Sequence, residues 1–279
     1  MTTATPYGEF ETAWCPGCGN FAIRKAVVAA LTELGLPPHK VVFSSGIGQA
    51  AKAPHYIRVN VLNGLHGRSL PAATGIKLAN PELTVLAESG DGCSYGEGGN
   101  HFLAAIRRNI DITAIVHDNQ IYGLTKGQAS PTTPKGQVTK TQPHGAPSEA
   151  FNPVAVAVAM GAGFVARGFA GEVEHLAGLI AAAARHPGFS LVDVLQPCVS
   201  FNKVNTYAWY KKRCYVLGDD HDPTNFRAAM DKALEWGERI PLGVLWRNDR
   251  PPFGPMPAGP VAVQDPDMNT LSGTLAGYA

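Results

Sequence analysis

Charge, long apolar runs and cysteine are all scarce in this chain of 279 residues. Only 16% of the residues are charged, 23 basic against 22 acidic, for a formal net charge of +1. So even a balance, with no basic stripe, argues against nucleic acid as a partner. A surface this lean in charge suits a polypeptide that partner chains cover. The longest apolar run, Pro153 to Ala166, is too short and too rich in Ala and Gly to span a bilayer. The opening MTTATPYGEFETAW is polar, without the basic start and apolar stretch of a secretory signal, so a cytoplasmic location is expected. Five cysteines are an odd set, and metal or redox use is expected of them rather than disulfides. Internal repeats are also missing. What remains, 45% apolar residues, is enough for one large α/β domain, or for one with a C-terminal appendage.

The chain is organised around Leu83 to Gln128. Two short apolar runs, LTVLAES and DITAIVH, bracket EGGNHFLAAIRRN, in which helical spacing puts Phe102, Leu103 and Ile106 on one face. This pattern predicts two parallel strands joined by a right-handed helical crossover. The first strand runs into Gly90-Asp91-Gly92 and the second into Asp118-Asn119. Ligands of open parallel sheets bind beyond the carboxyl ends of the strands, so Asp91 and Asn119 should face one crevice. Glycines beside Asp91 admit a phosphate close to the backbone, and the following helix points its positive end there. A carboxylate and an amide oxygen converging beside phosphates make a hard-oxygen site suited to Mg²⁺. Taken singly, Asp and Asn after strands are ordinary turn-formers.

The flanking sequence repeats the alternation. FAIRKAVVAALTEL within Asn20 to Leu34 predicts an amphipathic helix ended by Gly35 and Pro37-Pro38. Lys40 to Ser45 reads as a buried strand running into Gly46-Ile47-Gly48, and Arg58 to Leu62 as another running into NGLHGR. A helix is expected through Ala72 to Lys77. Residues 129–148 form a Pro/Gly/Thr-rich loop of a length that is usually functional. Then come a helix over Phe151 to Gly161, a strand over Gly163 to Arg167, a helix over Val173 to Arg185 and a last buried strand, FSLVDVLQ, ending at Pro197-Cys198. The expected fold is α/β, a doubly wound and mainly parallel sheet with helices on both faces. Residues 1–202 carry it, and 203–279 form a C-terminal extension packed on the core or on another subunit. Residues 1–14 read as an arm.

Six stretches in order give a resemblance: WCPGCGNF at 14–21, SGIGQAAK at 45–52, NGLHGR at 63–68, GDG at 90–92, GGNHF at 98–102 and NQIYGLTKGQASPTT at 119–133. GDG followed by Asn119, 28 positions after Asp91, looks like the diphosphate motif of thiamine diphosphate enzymes. Together the stretches resemble the β subunit of the 2-oxoacid:ferredoxin oxidoreductases. The resemblance implies a thiamine diphosphate-binding fold, with Mg²⁺ held by Asp91, Asn119 and the backbone carbonyl of Ile121. Around the cofactor it places Ile47, Gly48, Gln49, His66, Gly90, Gly92, Cys93 and Leu124. His66, in the loop after a strand, should face the crevice, for cofactor contact or for a structural hydrogen bond. Lys52 and Lys126 match positions that face the substrate carboxylate; without the resemblance they would read as solvated surface. Asp118 departs from the usual Asn.

Cys15 and Cys18 form C-x-x-C, which alone would suit a redox dithiol, half a zinc site or packed thiols. The strand before it is too short and polar for a thioredoxin-like motif, and zinc lacks a second close pair. The resemblance makes Cys15, Cys18 and Cys198 ligands of a 4Fe-4S cluster. Its usual fourth cysteine, in G-I-G-C, is Gln49 here. Cys93 is the favoured replacement, because it follows Gly92 at the same sheet edge as the Gly46–Gln49 turn. Cys214, a packed thiol in an apolar stretch, comes second. A three-cysteine cluster with an exogenous ligand, or no cluster, completes the alternatives.

The function implied is oxidative decarboxylation of a 2-oxoacid to an acyl-CoA and CO₂, with electrons passed through the cluster to ferredoxin or flavodoxin. 2-Oxoglutarate and pyruvate are the leading substrates. In this family an α subunit supplies the glutamate that activates the aminopyrimidine and many coenzyme A contacts, so an obligate complex is expected, with γ and δ pieces as further candidates. Competing readings are a non-redox thiamine diphosphate decarboxylase subunit without cluster, and a non-catalytic subunit whose C-x-x-C holds zinc.

Overall fold

The computed structural model describes residues 5–254. Ten strands and seven α-helices lie among them. In chain order they are α1 (Gly19–Glu33), β1 (Val41–Ser45), β2 (Asn60–Asn63), α2 (Ser69–Ala79), β3 (Thr84–Gly90), α3 (Gly99–Arg108) and β4 (Thr113–Asp118). There follow β5 (Ile121–Tyr122), β6 (Gln128–Ala129), α4 (Pro153–Ala159), β7 (Phe164–Phe169), α5 (Val173–Arg185) and β8 (Ser190–Leu195). The chain continues through α6 (Tyr207–Arg213), β9 (Cys214–Val216), α7 (Phe226–Leu234) and β10 (Ile240–Arg247). No helix of the described residues is long and apolar enough to cross a membrane.

Eight strands make one sheet in the order β2-β1-β3-β4-β8-β7-β10-β9. It is parallel except where β10 runs against β7. The period-two alternation of side chains splits the apolar residues between two faces. Leu86, Ile115, Val192 and Phe43 pack beneath α1 and α5 with Ile23, Val27, Leu176 and Ile180. Val85, Ala87, Ala114, Val116 and Leu191 face α2, α3, α4 and α7, with Leu70, Phe102, Val154 and Ala229. The chain leaves β1 toward β2 on one side and returns to β3 on the other, so the order reverses between β1 and β3. The carboxyl ends flanking that reversal are the Gly46–Gln49 turn and Gly90-Asp91-Gly92. A crevice must open there.

Four expectations need amendment. Leu103 is 37% exposed, while Phe102 and Ile106 are fully buried and enter the core from α3 together with Ala105. FSLVDVLQ is not the last buried strand, since β10 follows and joins the same sheet, whose edge β9 completes. The arm at the start is tied down: Tyr7 is fully buried and its hydroxyl donates to the Leu36 carbonyl. Between Asp91 and α3 lies a π-helical turn over Gly92–Glu97 that periodicity did not announce.

Candidate active site

Each strand of the central unit stops where a polar residue can turn its side chain to the crevice. Gly90, Asp91, Gly92, Cys93, Asn119, Ile121 and Leu124 line one cavity, with Ile47, Gly48, Gln49 and His66 from the neighbouring loops. Gly92 is required sterically, because a Cβ there would stand 2.1 Å from the Tyr122 ring. The Tyr122 hydroxyl in turn lies 3.2 and 3.3 Å from the Glu97 carboxylate oxygens. Burial first, and then Glu97, pushes that phenol up. His66 Nδ1 comes within 3.1 Å of Glu97 Oε2, a polar contact without hydrogen-bond alignment.

Asp91 is 2% exposed, and Ser130 Oγ and Thr132 Oγ1 both donate toward its Oδ2, at 2.5 and 2.7 Å. Burial raises its carboxyl, against the pull of those two hydroxyls. Thr132 Oγ1 also stands 2.7 Å from Asp118 Oδ1. One hydroxyl hydrogen cannot serve two carboxylates, so a proton resides on one of the acids. Asp118 is the one driven well above the usual range, by burial first and then by Asp193 and Asp91. Asn119 Oδ1 accepts the Ile121 N–H at 3.0 Å, and its carbonyl accepts from Asn202 Nδ2. Gln120 between them sits at φ 58, a left-handed conformation uncommon outside glycine and Asn, which turns the chain sharply here. Ser130 and Thr132 were visible in the sequence only as loop residues; their contact with Asp91 needs the fold of 119–133.

Cys15, Cys18 and Cys198 line a second cavity, with Trp14, Asn20, Gln49, Asn119, Gly123, Gln196 and Ser200. Cys15-Pro16-Gly17-Cys18 is a tight turn closed by the Cys18 N–H on the Cys15 carbonyl at 3.0 Å, with Gly17 at φ 78 as a type II turn demands. Cys18 then caps α1, while Cys198 arrives just past the end of β8. Ser200 Oγ reaches Cys15 Sγ at 3.2 Å and Gln196 Nε2 reaches Cys18 Sγ at 3.5 Å. Burial pushes the Cys18 thiol up. No three His, Cys, Asp or Glu of the described residues are grouped closely enough to hold a single ion. Three thiols on the wall of one cavity are the residue types that a cluster would take as ligands. Cys93 lines the first cavity, not this one, and its Sγ accepts the Gly67 N–H at 3.2 Å. Cys214 begins β9, where burial raises its thiol to about 12. Lys52 and Lys126 line neither cavity, and Lys126 is an exposed residue held at φ 84.

Behind the sheet end, Glu88 and His117 are buried completely. His117 Nε2 lies 2.9 Å from Glu88 Oε1 and Nδ1 lies 2.8 Å from Asn20 Oδ1. Asn20 Oδ1 also accepts from Gln196 Nε2 at 2.7 Å, so this chain of contacts ends at Cys18.

Residues 42–194 match the family described as thiamine pyrophosphate enzyme, C-terminal TPP binding domain. Residues 198–256 match the C-terminal family of the pyruvate ferredoxin oxidoreductase beta subunit. Among similar proteins, the 2-oxoacid:ferredoxin oxidoreductase subunit beta of a Sulfolobus species is 48% identical over 252 residues, covering 86% of this chain and 83% of its own. The 2-oxoglutarate synthase subunit KorB of Archaeoglobus fulgidus is 42% identical, covering 84% of each chain. A solved 2-oxoglutarate:ferredoxin oxidoreductase from Magnetococcus marinus, with 2-oxoglutarate, coenzyme A and succinyl-CoA bound, superposes with a TM-score of 0.87. It is 35% identical and covers 99% of this chain and 92% of that one.

Proposed function

The chain belongs to the β subunits of the 2-oxoacid:ferredoxin oxidoreductases, and from that premise we propose that it holds a Mg²⁺–diphosphate head and an iron–sulfur cluster side by side. One observation carries the proposal: the cavity of Asp91 and the cavity of the three cysteines share Gln49, Asn119 and Gly123 as a common wall. An electron donor and a one-electron acceptor would be separated by little more than that wall.

Asp91 would give Mg²⁺ a carboxylate oxygen, Asn119 its amide oxygen and Ile121 its backbone carbonyl, with phosphate oxygens and water completing an octahedron. Ser130 and Thr132 occupy Asp91 Oδ2 and so fix the carboxylate's orientation. When bound, thiamine diphosphate supplies the electron sink for decarboxylation and the cluster a path for single electrons to ferredoxin or flavodoxin. Gly48 and Gly90 leave the backbone open to phosphate, Gly92 brings the chain to the cavity while admitting the Tyr122 ring, and Ile47, His66, Cys93 and Leu124 would wall the cofactor. Lys52 and Lys126, which line neither cavity, are proposed for the 2-oxo carboxylate on the family resemblance alone.

The first cavity, at ≈ 70 Å³, is far smaller than the roughly 300 Å³ and upward usual for a ligand of this size, so the rest of the cofactor needs another surface. Ile47, Leu65 (76% exposed) and Leu124 present apolar side chains around its loops. An α subunit supplying the missing wall, the activating glutamate and the coenzyme A contacts accounts for both. The substrate would be 2-oxoglutarate or pyruvate, the former being what the Magnetococcus marinus structure contains.

The test uses the complex assembled anaerobically with its α subunit. Iron, acid-labile sulfide and thiamine diphosphate should all be present, with CoA-dependent turnover of one 2-oxoacid in a panel. Asp91→Ala should abolish Mg²⁺-dependent cofactor retention while the chain keeps its far-UV circular dichroism. Full cofactor occupancy in that variant would refute the assignment of the metal site.

A further inference from the structure

A four-iron core presents four corners, each ordinarily closed by a thiolate. Three thiols share the second cavity here, and the described residues bring no fourth to it. Two glutamines, Gln49 and Gln196, line the cavity with them; Gln196 is already tied through its Nε2 to Cys18 Sγ and Asn20 Oδ1, which leaves Gln49 on the loop where the fourth cysteine is usual. The Gln49 Oε1 is buried and has no hydrogen-bond partner, an unfavourable state for an amide oxygen. The loop bearing it is nevertheless held firmly in that position. Trp14, the residue before Cys15, donates its indole N–H to the Gln49 carbonyl at 2.9 Å. The same indole is wedged edge-on between Phe21 and Tyr56, with ring centroids 5.3 and 4.9 Å away. Gly48 makes the preceding turn at φ 127. One aromatic anchor thus fixes the Cys15 turn and the Gln49 loop relative to each other.

The remaining thiols are engaged elsewhere. Cys93 Sγ takes the Gly67 N–H and crowds Gly46, where a Cβ would lie 2.3 Å from it. Cys214 is at the far edge of the sheet on β9, seven strand positions from β2.

We propose that this chain carries a site-differentiated cluster, bound through Cys15, Cys18 and Cys198, with the Gln49 amide oxygen facing the fourth iron in place of a thiolate. The inference rests on the reading that the chain holds a cluster at all. A neutral amide oxygen is a weak ligand for iron beside thiolates. Two consequences follow. The cluster carries one negative charge fewer than a four-thiolate cluster, which raises its reduction potential. The fourth iron is also the one easily lost. Oxidation of the dicationic four-iron core by one electron, taken by ferricyanide, gives a tricationic core. That core releases one Fe²⁺ and leaves a monocationic three-iron core with all four sulfides retained.

The experiment is a ferricyanide titration of the anaerobic complex, read by iron and sulfide content and by EPR. Wild type should go from four irons to three per cluster with sulfide unchanged, develop the signal of an oxidised three-iron core, and recover on adding Fe²⁺ with dithionite. Gln49→Cys should keep four irons under the same exposure and shift the cluster potential negatively. Gln49→Ala should still assemble the core and lose its fourth iron faster than wild type. Cys93→Ser should leave iron content and spectra as in wild type. Four irons retained by wild type throughout the titration would overturn the proposal, and a cluster lost in Cys93→Ser would hand the fourth corner to that residue. A complex with neither iron nor sulfide would instead remove the cluster reading itself, and this inference with it.

Discussion

Glu88 and His117 offer the sharpest test of how the core supports the site. Both are fully buried, and both ring nitrogens of His117 face oxygen acceptors, Glu88 Oε1 and Asn20 Oδ1. Asn20 Oδ1 is committed as an acceptor because Gln196 Nε2 donates to it as well. A hydrogen must therefore lie on each ring-directed line, either as imidazolium beside carboxylate or as imidazole beside carboxylic acid. As an ion pair at 2.9 Å its attraction is about 6 kcal/mol at the effective dielectric of about 20 that suits buried protein sites. Removing one partner leaves the other buried and uncompensated, which costs about 3–5 kcal/mol. Replacing both together should cost much less than the two single changes combined. Glu88→Leu, His117→Leu and the double variant should be compared by urea denaturation, checking that the m-value stays constant. The expected pattern is two severely destabilised single variants and a double variant no worse than either. Single-variant losses below about 1 kcal/mol, or losses that simply add, would refute the coupled-pair argument.

Two further outcomes are expected. Gly92→Ala puts a methyl 2.1 Å from the Tyr122 ring, so it should cost about 1–3 kcal/mol, and pairing it with Tyr122→Ala should recover part of that loss in thermal melts. Asp193 accepts from the Tyr95 hydroxyl at 2.6 Å and is raised from 3.8 to about 6 by burial, which the Tyr95 contact and Arg167 only partly oppose. Its folded-state value lies above the unfolded one, so its stability contribution is complete below about pH 4 and is lost as pH rises through about 6, by at most ~3 kcal/mol. Asp193→Asn should flatten that segment of the stability–pH curve, and an unchanged slope between those limits would count against the assignment.

Much of the fold was legible because α/β alternation writes itself in apolar periodicity. The Val173–Arg185 helix follows its pattern residue for residue, and Asp91 and Asn119 stand out as polar interruptions at strand ends. The π-helical turn was not legible, since its Gly98 N–H to Cys93 O bond, five residues back, leaves no simple period. That turn decides the Cys93 side chain. Sequence adjacency put Cys93 at the same sheet edge as the Gly46–Gln49 turn, and it does touch Gly46. Edge position says nothing, however, about which side of the edge a side chain faces. Leu103 shows the same limit, being one helical step outside the narrow face that α3 buries.

Asp118 is the remaining departure from the family's usual residues, and the geometry explains why it is tolerated. Placed next to Asn119, an ionised Asp would add a second negative charge within a site already holding Asp91. It is 3% exposed, and Thr132 bridges it to Asp91 with 2.7 Å contacts on both sides. That bridge closes only when one acid is protonated. Burial, Asp193 and Asp91 all push the proton onto Asp118. A neutral carboxyl offers one O–H donor and one carbonyl acceptor, nearly the inventory of the amide it replaces. The substitution thus keeps the hydrogen bonding of Asn, and the negative charge at this strand end stays on Asp91. Because the proton is favoured by the charges of Asp193 on β8 and of Asp91 just past β3, and bridged by Thr132, it is a property of the folded sheet end that no local sequence window contains.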